Sequence, residues 1–160
     1  MTDSTGNDTR QHILATALRL FRERGYEATT MRLIAVEAGV ATGNAYYYFP
    51  SKGHLVQELY REVTAEHATR ATAALGPGGD LGARLATALH TGLNVFAPYH
   101  AFGSEFVSVA IRPGAAASPF SEASRQARVT SLALFTDVVN GAKPGVTPAL
   151  RADLPELLWL

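Results

Sequence analysis

A run of consecutive tyrosines, Tyr46, Tyr47 and Tyr48, could contact a polyanion. Neighbouring residues of a helix are about 100° apart around its axis, so three tyrosines in a row cannot all face a protein core. An exposed phenol hydroxyl can donate a hydrogen bond to a phosphate oxygen. Lys52 follows at the expected start of a new helix, where the helix dipole also favours an anion. We therefore predict that phosphate is contacted by Thr30, Tyr46, Tyr48 and Lys52.

Small and polar residues precede the tyrosines and could reach the edges of bases. Thr42, Gly43 and Asn44 are the candidates, because Asn can bond adenine through two hydrogen bonds and Gly lets the backbone approach closely. The formal charges between Gly25 and Gly53 sum to zero, however, so local charge does not favour DNA. Short helices bounded by glycine also occur in plain helical bundles. From the residues alone, both interpretations stay open.

Two short predicted helices position these residues. The first begins near Thr30, a residue type that caps helices, and ends at Gly39. The second begins near Thr42 and ends at Pro50, which cannot continue it. A turn of three or four residues that contains Gly sets two helices at a steep angle, which is the helix-turn-helix layout. The second helix of such a pair can lie in the major groove of DNA.

The rest of the chain also follows a helical pattern, and no alternating pattern lasts long enough to predict a sheet. We predict an all-α protein with residues 1–8 as a disordered tail, a three-helix helix-turn-helix domain over 9–52 and a helical bundle over 53–160. Outside the helix-turn-helix, the expected helices span about Thr9–Arg24, Ser51–Leu75, a segment after Asp80 that carries Leu81, Leu85, Leu89, Leu93 and Phe96, and then 102–111, 119–140 and 149–160.

The composition limits the possible classes of function. The 160 residues contain 14 Lys plus Arg and 14 Asp plus Glu, so the chain should not coat nucleic acid non-specifically, although a local site remains possible. The absence of cysteine removes disulfides and thiolate chemistry and fits a reducing cytoplasm. We predict no membrane partner, since the longest stretch without a charged residue, Leu85–Ser104, contains polar groups that are costly in lipid.

Polar and aromatic residues on or near the apolar helices of the second half could bind a small molecule. His90 and Asn94 are four residues apart and share a helix face, which we expect to point into a pocket. The alternative interpretation is that the aromatic residues form core and that the His and Asn are ordinary polar residues. The ligand candidates are His90, Asn94, Tyr99, Phe102 and Phe106.

Nothing in the sequence indicates an enzyme or a cofactor. His100 and Glu105 are too few to hold a metal ion. A Ser, Glu and His close together in sequence do not define a catalytic triad. A glycine-rich phosphate loop should follow a strand, and no strand is predicted.

An ordered combination of residues over 9–60 adds a resemblance to these inferences. It consists of Leu20-Phe21, Gly25-Tyr26, Thr29-Thr30, Ile34-Ala35, Ala38-Gly39-Val40, Gly43-Asn44-Ala45-Tyr46-Tyr47-Tyr48-Phe49 and Ser51-Lys52. The segment resembles the DNA-binding domain of the TetR family of transcriptional regulators. Each piece alone is weak, but their order and spacing together are specific.

The resemblance implies a role for each matched position. Tyr46 would contact phosphate, Lys52 would cap its helix and anchor it on the DNA backbone, and Phe49 would pack inside. Tyr48 replaces a frequent His, which keeps a phosphate donor but removes a group that titrates near neutral pH. Thr30 and Arg32 would reach phosphates or a base. The base-reading positions would be Thr42, Gly43, Asn44 and Tyr47.

The resemblance also implies the function of the whole chain. A homodimer would bind a pseudo-palindromic double-stranded DNA operator, more often as a repressor than as an activator, and an unknown small-molecule effector would release it. Residues 53–160 would bind the effector and form the dimer. The chain is short for the family after Pro148, so we expect this domain to be incomplete. The alternative is a helical protein–protein interaction module without DNA binding, in which the tyrosine-rich helix binds another protein.

Overall fold

The computed structural model describes residues 3–100, 103, 118–143 and 145–159. These residues contain α-helices and short 3-10 turns but no strand, so the all-α prediction is confirmed. The helices are α1 (Asp3–Arg24), α2 (Met31–Glu37), α3 (Thr42–Tyr48), α4 (Lys52–Ala74), α5 (Leu81–Phe96), α6 (Arg125–Asn140) and α7 (Pro148–Trp159), with 3-10 turns at Ala97–Tyr99 and Glu122–Ser124. None of the helices in these ranges is long and apolar enough to cross a membrane.

The described residues divide into two compact units. The first contains those of Met1–Leu59 and Tyr99–Ser124, and the second contains those of Tyr60–Pro98 and Arg125–Leu160. The division therefore falls after Leu59, whereas the sequence predicts a boundary at residue 52. The reason is that the first turns of α4 supply buried side chains and an ion pair to the first unit.

The core of the first unit is built on the apolar stripe of α1. Ile13, Leu14, Ala17 and Phe21 recur at spacings of three and four, the pattern of one helix face, and all four are buried. Gly25 ends the helix with φ 81°, a left-handed conformation that glycine adopts without strain. The same core contains residues from α2, α3, α4 and the loops between them, among them Tyr26, Met31, Ile34, Ala35, Ala45, Phe49, Leu55, Val56 and Leu59.

The start of α1 differs from the expectation. The helix begins at Asp3, whereas the sequence predicts a disordered tail over 1–8 and a start near Thr9, so residues 3–8 are helical. Extending an existing helix needs no new nucleation. The extension also lies against α3, because a Cβ atom placed on Gly6 would be 3.6 Å from the Tyr48 hydroxyl.

The second unit is organised around a buried arginine. A small core of Ala71, Ala88, Leu134 and Val138 joins α4, α5 and α6. Beside it, Arg84 of α5 is only 7% exposed. Its guanidinium donates hydrogen bonds of 2.8–3.1 Å to the backbone oxygens of Gly76, Gly78, Asp137 and Val138. These bonds join the loop after α4 to the last turn of α6 and compensate for the burial of the charge.

The helices predicted over 119–140 and 149–160 are present in the structure, but their ends differ from the prediction. The predicted helix over 119–140 begins at Arg125, after the 3-10 turn Glu122–Ser124, and ends at Asn140. The predicted helix over 149–160 is α7, and its Trp159 hydrogen-bonds with the Tyr60 hydroxyl of α4. Burial raises the pKa of that phenol. Apart from residue 103, the predicted helix over 102–111 lies outside the described residues.

Candidate nucleic-acid interface

The turn between α2 and α3 has the form of a helix stop followed at once by a new helix. Gly39 has φ 65°, and its N–H donates to the backbone oxygen of Val36 at 3.1 Å. The N–H of Val40 donates to the backbone oxygen of Ala35 at 3.0 Å. This pair of bonds is the Schellman motif, which satisfies the last carbonyls of α2 and turns the chain sharply. The structure therefore contains the predicted helix-turn-helix.

α3 is anchored on one side and exposed on the other. Ala45 has no exposed surface, and Phe49, directly after the helix, is buried as predicted. Tyr47 is 80% exposed and Tyr46 is 48% exposed. The predicted base-reading residues Thr42, Gly43 and Asn44 are exposed as well, and Tyr48 is half-buried. All the residues proposed to face DNA on α3 are thus brought together on one short helix.

The next two predicted DNA contacts, Thr30 and Arg32, lie at the start of α2. Thr30 is the N-cap of α2, and its hydroxyl oxygen accepts a hydrogen bond of 3.1 Å from the N–H of Leu33. A hydroxyl that accepts this bond still has a proton to donate to a phosphate. Arg32 lies in the first turn of the helix and is exposed.

Lys52 has a structural partner that the sequence does not predict. Its ammonium group donates a hydrogen bond of 2.6 Å to the backbone oxygen of Tyr26 and lies 4.1 Å from the centre of the Tyr26 ring. That ring packs against Phe21 at a centroid distance of 5.3 Å. The ammonium therefore holds the start of α4 to the loop after α1, in place of a purely solvent-facing phosphate contact.

Ion pairs and ring contacts fix the helices around α3. Arg19 of α1 donates to the carboxylate of Glu37, at the end of α2, at 2.8 Å. This hydrogen bond lowers the pKa of Glu37. Arg10 pairs with Glu58 at 2.9 Å, and its guanidinium lies 4.9 Å from the centre of the Phe49 ring.

The N-terminal half of α1 is the part of the candidate interface that the sequence does not predict. Arg10 supports Phe49, and Gly6 lies beside the Tyr48 hydroxyl. Both residues fall within or next to a segment predicted to be disordered. A signal was available, since Arg10 lies three residues before Ile13 and four before Leu14, at the spacing that places it on the same helix face.

Three of the ligand candidates, His90, Asn94 and Tyr99, lie within the described residues. His90 and Asn94 are exposed residues of the second unit, whereas Tyr99 belongs to the first unit, where the Arg22 guanidinium lies 6.0 Å from its ring. Phe102 and Phe106 lie outside the described residues. The expectation that His90 and Asn94 point inward is therefore wrong.

The geometry of α5 explains this difference. Its buried residues are Arg84, Ala88, Gly92 and Val95. The predicted apolar stripe repeats every four residues, and each step of four turns about 40° further around a helix. By Leu89 and Leu93 the stripe has rotated onto the exposed side, and Phe96 is also exposed.

A histidine that the sequence does not single out lies between α4 and α5. His67 forms a 2.9 Å hydrogen bond with the backbone oxygen of Ala88, and its ring is 6.2 Å from that of Phe96. A Cβ atom on Gly92 would lie 3.1 Å from Nε2 of His67, so the two helices pack closely there. His67 follows Leu59 and Val63 at steps of four, a spacing that indicates the packed face of α4.

Comparisons with known proteins assign the family. A model of bacterial regulatory proteins of the tetR family matches residues 13–59, and a model of Tetracyclin repressor-like C-terminal domains matches residues 84–160. The chain therefore belongs to the TetR family, as the resemblance implies.

Individual relatives agree with this assignment. The transcriptional repressor KstR2 of Mycobacterium tuberculosis is 46% identical over 55 residues, which are 34% of this chain and 28% of KstR2. The transcriptional regulator AcrR of Shigella flexneri is 42% identical over 59 residues, 37% of this chain and 27% of AcrR. The chain thus matches little more than a quarter of the length of these relatives.

A solved structure extends the likeness along the chain. A protein of Shewanella sp. PV-4, described as a tetR-family transcription regulator, superposes with a TM-score of 0.64 at 26% identity. The superposition covers 94% of this chain and 77% of that protein. The fold of both units is thus one that the family uses.

Proposed function

We propose that the chain is a sequence-specific DNA-binding transcriptional regulator that represses from an operator and is released by a small-molecule effector. The observation that carries the proposal is the exposed face of α3 within a complete helix-turn-helix. Ala45 and Phe49 anchor the helix from beneath, and Tyr46 and Tyr47 project from it. Membership of a family of regulatory proteins and the likeness to a named repressor support the same function.

Phosphate contacts would come from both sides of α3 and from the start of α2. In this proposal Thr30, Arg32, Tyr46 and Tyr48 donate to phosphate oxygens. Lys52 also donates to phosphate, through the ammonium N–H groups that do not bond the backbone oxygen of Tyr26. Thr42, Gly43, Asn44 and Tyr47 face the bases.

Two parts of the chain would divide the work between DNA and effector. We propose residues 9–52, with the first turns of α4, as the DNA-binding part, and the residues that follow as the part that binds the effector and forms a homodimer. His90 and Asn94 lie on the exposed side of α5 near Leu89 and Leu93. We propose that the effector contacts this mixed apolar and polar face. A homodimer would place its recognition helices about 34 Å apart, in successive major grooves of a pseudo-palindrome.

A titration at two salt concentrations tests DNA binding directly. Fluorescence anisotropy would compare a duplex from upstream of the protein's own gene with a scrambled duplex. We expect tighter binding to the native duplex and a steep loss of affinity as salt rises, because phosphate contacts release counterions. Equal, salt-insensitive binding, or none with a confirmed dimer, would contradict the proposal. It would favour the protein–protein interaction module, whose aromatic interface should not respond steeply to salt.

A pair of matched variants makes the titration specific to α3. Tyr46→Phe removes one exposed hydroxyl from the proposed phosphate-contacting set and should weaken binding to both duplexes. Tyr60→Phe removes one hydroxyl from the second unit, where it bonds with Trp159, and should leave the affinity for DNA unchanged. Equal effects of the two substitutions would exclude a direct role for Tyr46.

A further inference from the structure

The direction in which α3 faces DNA can be read from its one buried residue. Ala45 has no exposed surface, so the outward direction of the helix is opposite to it. At about 100° per residue, Gly43 and Tyr47 each lie within about 20° of that outward direction. Tyr46 and Asn44 lie about 80° from it, on opposite flanks. The exposed fractions, 80% for Tyr47 and 48% for Tyr46, follow the same order.

The outermost side chain of α3 is therefore the ring of Tyr47. Its neighbour on the helix surface, Gly43, has no side chain. Apart from its chain neighbours and the backbone of its own helix, a Cβ atom on Gly43 would meet no atom within 4 Å, so the helix surface at Gly43 is open. The Tyr47 ring makes an edge-to-face contact with the ring of Tyr48, at a centroid distance of 5.2 Å and an interplanar angle of 80°. The neighbouring ring thus supports Tyr47 and leaves most of its surface exposed.

The charges of the helix-turn-helix limit which bases it can read. Arg and Lys are the usual readers of guanine, through two hydrogen bonds to O6 and N7. α3, with the sequence TGNAYYY, contains neither. Over α2 and α3 the only cationic side chain is Arg32, at the start of α2. Apolar contact with the 5-methyl group of thymine is the readout that an outward aromatic ring can supply.

We propose that Tyr47 is the central base-reading residue and that its ring packs on the 5-methyl group of a thymine, so that the base pair under the middle of α3 is A·T. The inference rests on the proposed function and adds to it the sequence class of the operator. Asn44, on the flank of the same helix, takes an adjacent adenine. Within α2 and α3, a guanine contact by Arg or Lys could come only from Arg32, at the start of α2.

Site selection followed by removal of single methyl groups tests this inference. The full chain would first select duplexes from a randomised library. Each thymine of the selected half-site would then be replaced in turn by uracil, which keeps the base pair and removes only the methyl group. We expect one thymine per half-site at which uracil weakens binding about fourfold, the effect of one buried methyl group.

Two variants connect that thymine to Tyr47. Tyr47→Ala should abolish the difference between thymine and uracil at that position, whereas Tyr47→Phe keeps the ring and should preserve it. Both should fold, because the side chain is largely exposed. A difference between thymine and uracil that survives in Tyr47→Ala would overturn the inference, as would selected sites with G·C under the middle of α3. A library from which no sequence is enriched would instead contradict the proposed function itself.

Discussion

The ammonium group of Lys52 lies 2.6 Å from the backbone oxygen of Tyr26 and 4.1 Å from the centre of the ring of the same residue. One side chain thus satisfies a loop carbonyl and covers an aromatic face. The position matches the one that the family resemblance assigns to a DNA-backbone anchor. In this chain the side chain fixes the start of α4 to the loop between α1 and α2, so it has a structural role besides the proposed contact with DNA.

Lys52→Ala should therefore lower stability as well as DNA affinity. The loss of a charge-assisted hydrogen bond and a cation–π contact at a half-buried site should reduce the free energy of unfolding by about 1–2 kcal/mol. Arg32→Ala is the comparison, since it should reduce the slope of affinity against salt by about one with stability unchanged. Urea unfolding followed by circular dichroism, together with anisotropy titrations, separates the two. If Lys52→Ala changed only the salt slope, the side chain would be a simple phosphate contact.

Replacement by alanine at two glycines of the helix-turn-helix should change the free energy of unfolding in opposite directions. At both Gly39 and Gly43 a Cβ atom would meet no atom within 4 Å, but only Gly39 has a positive φ, of 65°. Gly39→Ala should cost about 1–2 kcal/mol of unfolding free energy. Gly43→Ala should gain about 0.5–1 kcal/mol, because Gly is unfavourable inside a helix.

The same Gly43→Ala variant tests how closely α3 approaches DNA. If its backbone comes near the base edges, the added methyl group should weaken operator binding in a protein that is more stable than the parent. Thermal unfolding and anisotropy on one preparation measure both. Unchanged affinity would mean that DNA does not approach the open surface at Gly43.

The ion pair between Arg19 and Glu37 should give the first unit an acid-sensitive contact. The hydrogen bond from Arg19 lowers the pKa of Glu37 below its ordinary value of 4.5. A depressed pKa in the folded state means that the stabilisation is present above the unfolded pKa and is lost as the pH falls through the folded one. Arg19→Gln should return the pKa of Glu37 towards the ordinary value. Carboxyl NMR shifts recorded between neutral and acidic pH would show this, and identical titrations in parent and variant would contradict it.

Replacing Arg84 should lower the free energy of unfolding more than replacing most other residues of the second unit. Arg84→Met removes hydrogen bonds to the backbone oxygens of Gly76, Gly78, Asp137 and Val138 and leaves part of them buried without a donor. We expect a loss of about 3 kcal/mol or more in unfolding free energy. The fluorescence of the single tryptophan, Trp159, reports on this unit during urea unfolding.

Gly141→Ala is an independent test of the same arginine. A Cβ atom on Gly141 would overlap the Arg84 guanidinium, so the group must move and lose some of its bonds. The variant should therefore be destabilised although alanine is an ordinary residue at most helix ends. A stability equal to that of the parent would show that Arg84 can be displaced without cost.

The structural features that the sequence predicts correctly are those that depend on residues close together in the chain. Ala45 and Phe49 are buried and Tyr47 is exposed because their positions on one short helix leave few choices. Gly39 is recognisable as a helix stop for the same reason, since only glycine takes its conformation easily. The helix-turn-helix as a whole follows from such local rules.

Contacts with distant backbone groups are what the sequence does not predict. Lys52 bonds a carbonyl 26 residues away, and Arg84 bonds carbonyls as far as 54 residues away. Every residue has a carbonyl, so no residue type marks either acceptor in advance. The buried face of α5 differs from the prediction for another reason, because a four-residue repeat drifts around a helix and carries Leu93 to the surface.

Among the described residues, Arg84 binds main-chain oxygens and no side chain, which affects how the sequences of related chains can vary. Residues 76, 78, 137 and 138 can each be exchanged without removing the oxygen that Arg84 uses, so the contact with Arg84 itself does not restrict their side chains. Position 141 has no such freedom, because any side chain there overlaps the guanidinium. An alignment of related chains should therefore show positions 84 and 141 changing together. It should show no covariation between position 84 and the four residues that it binds.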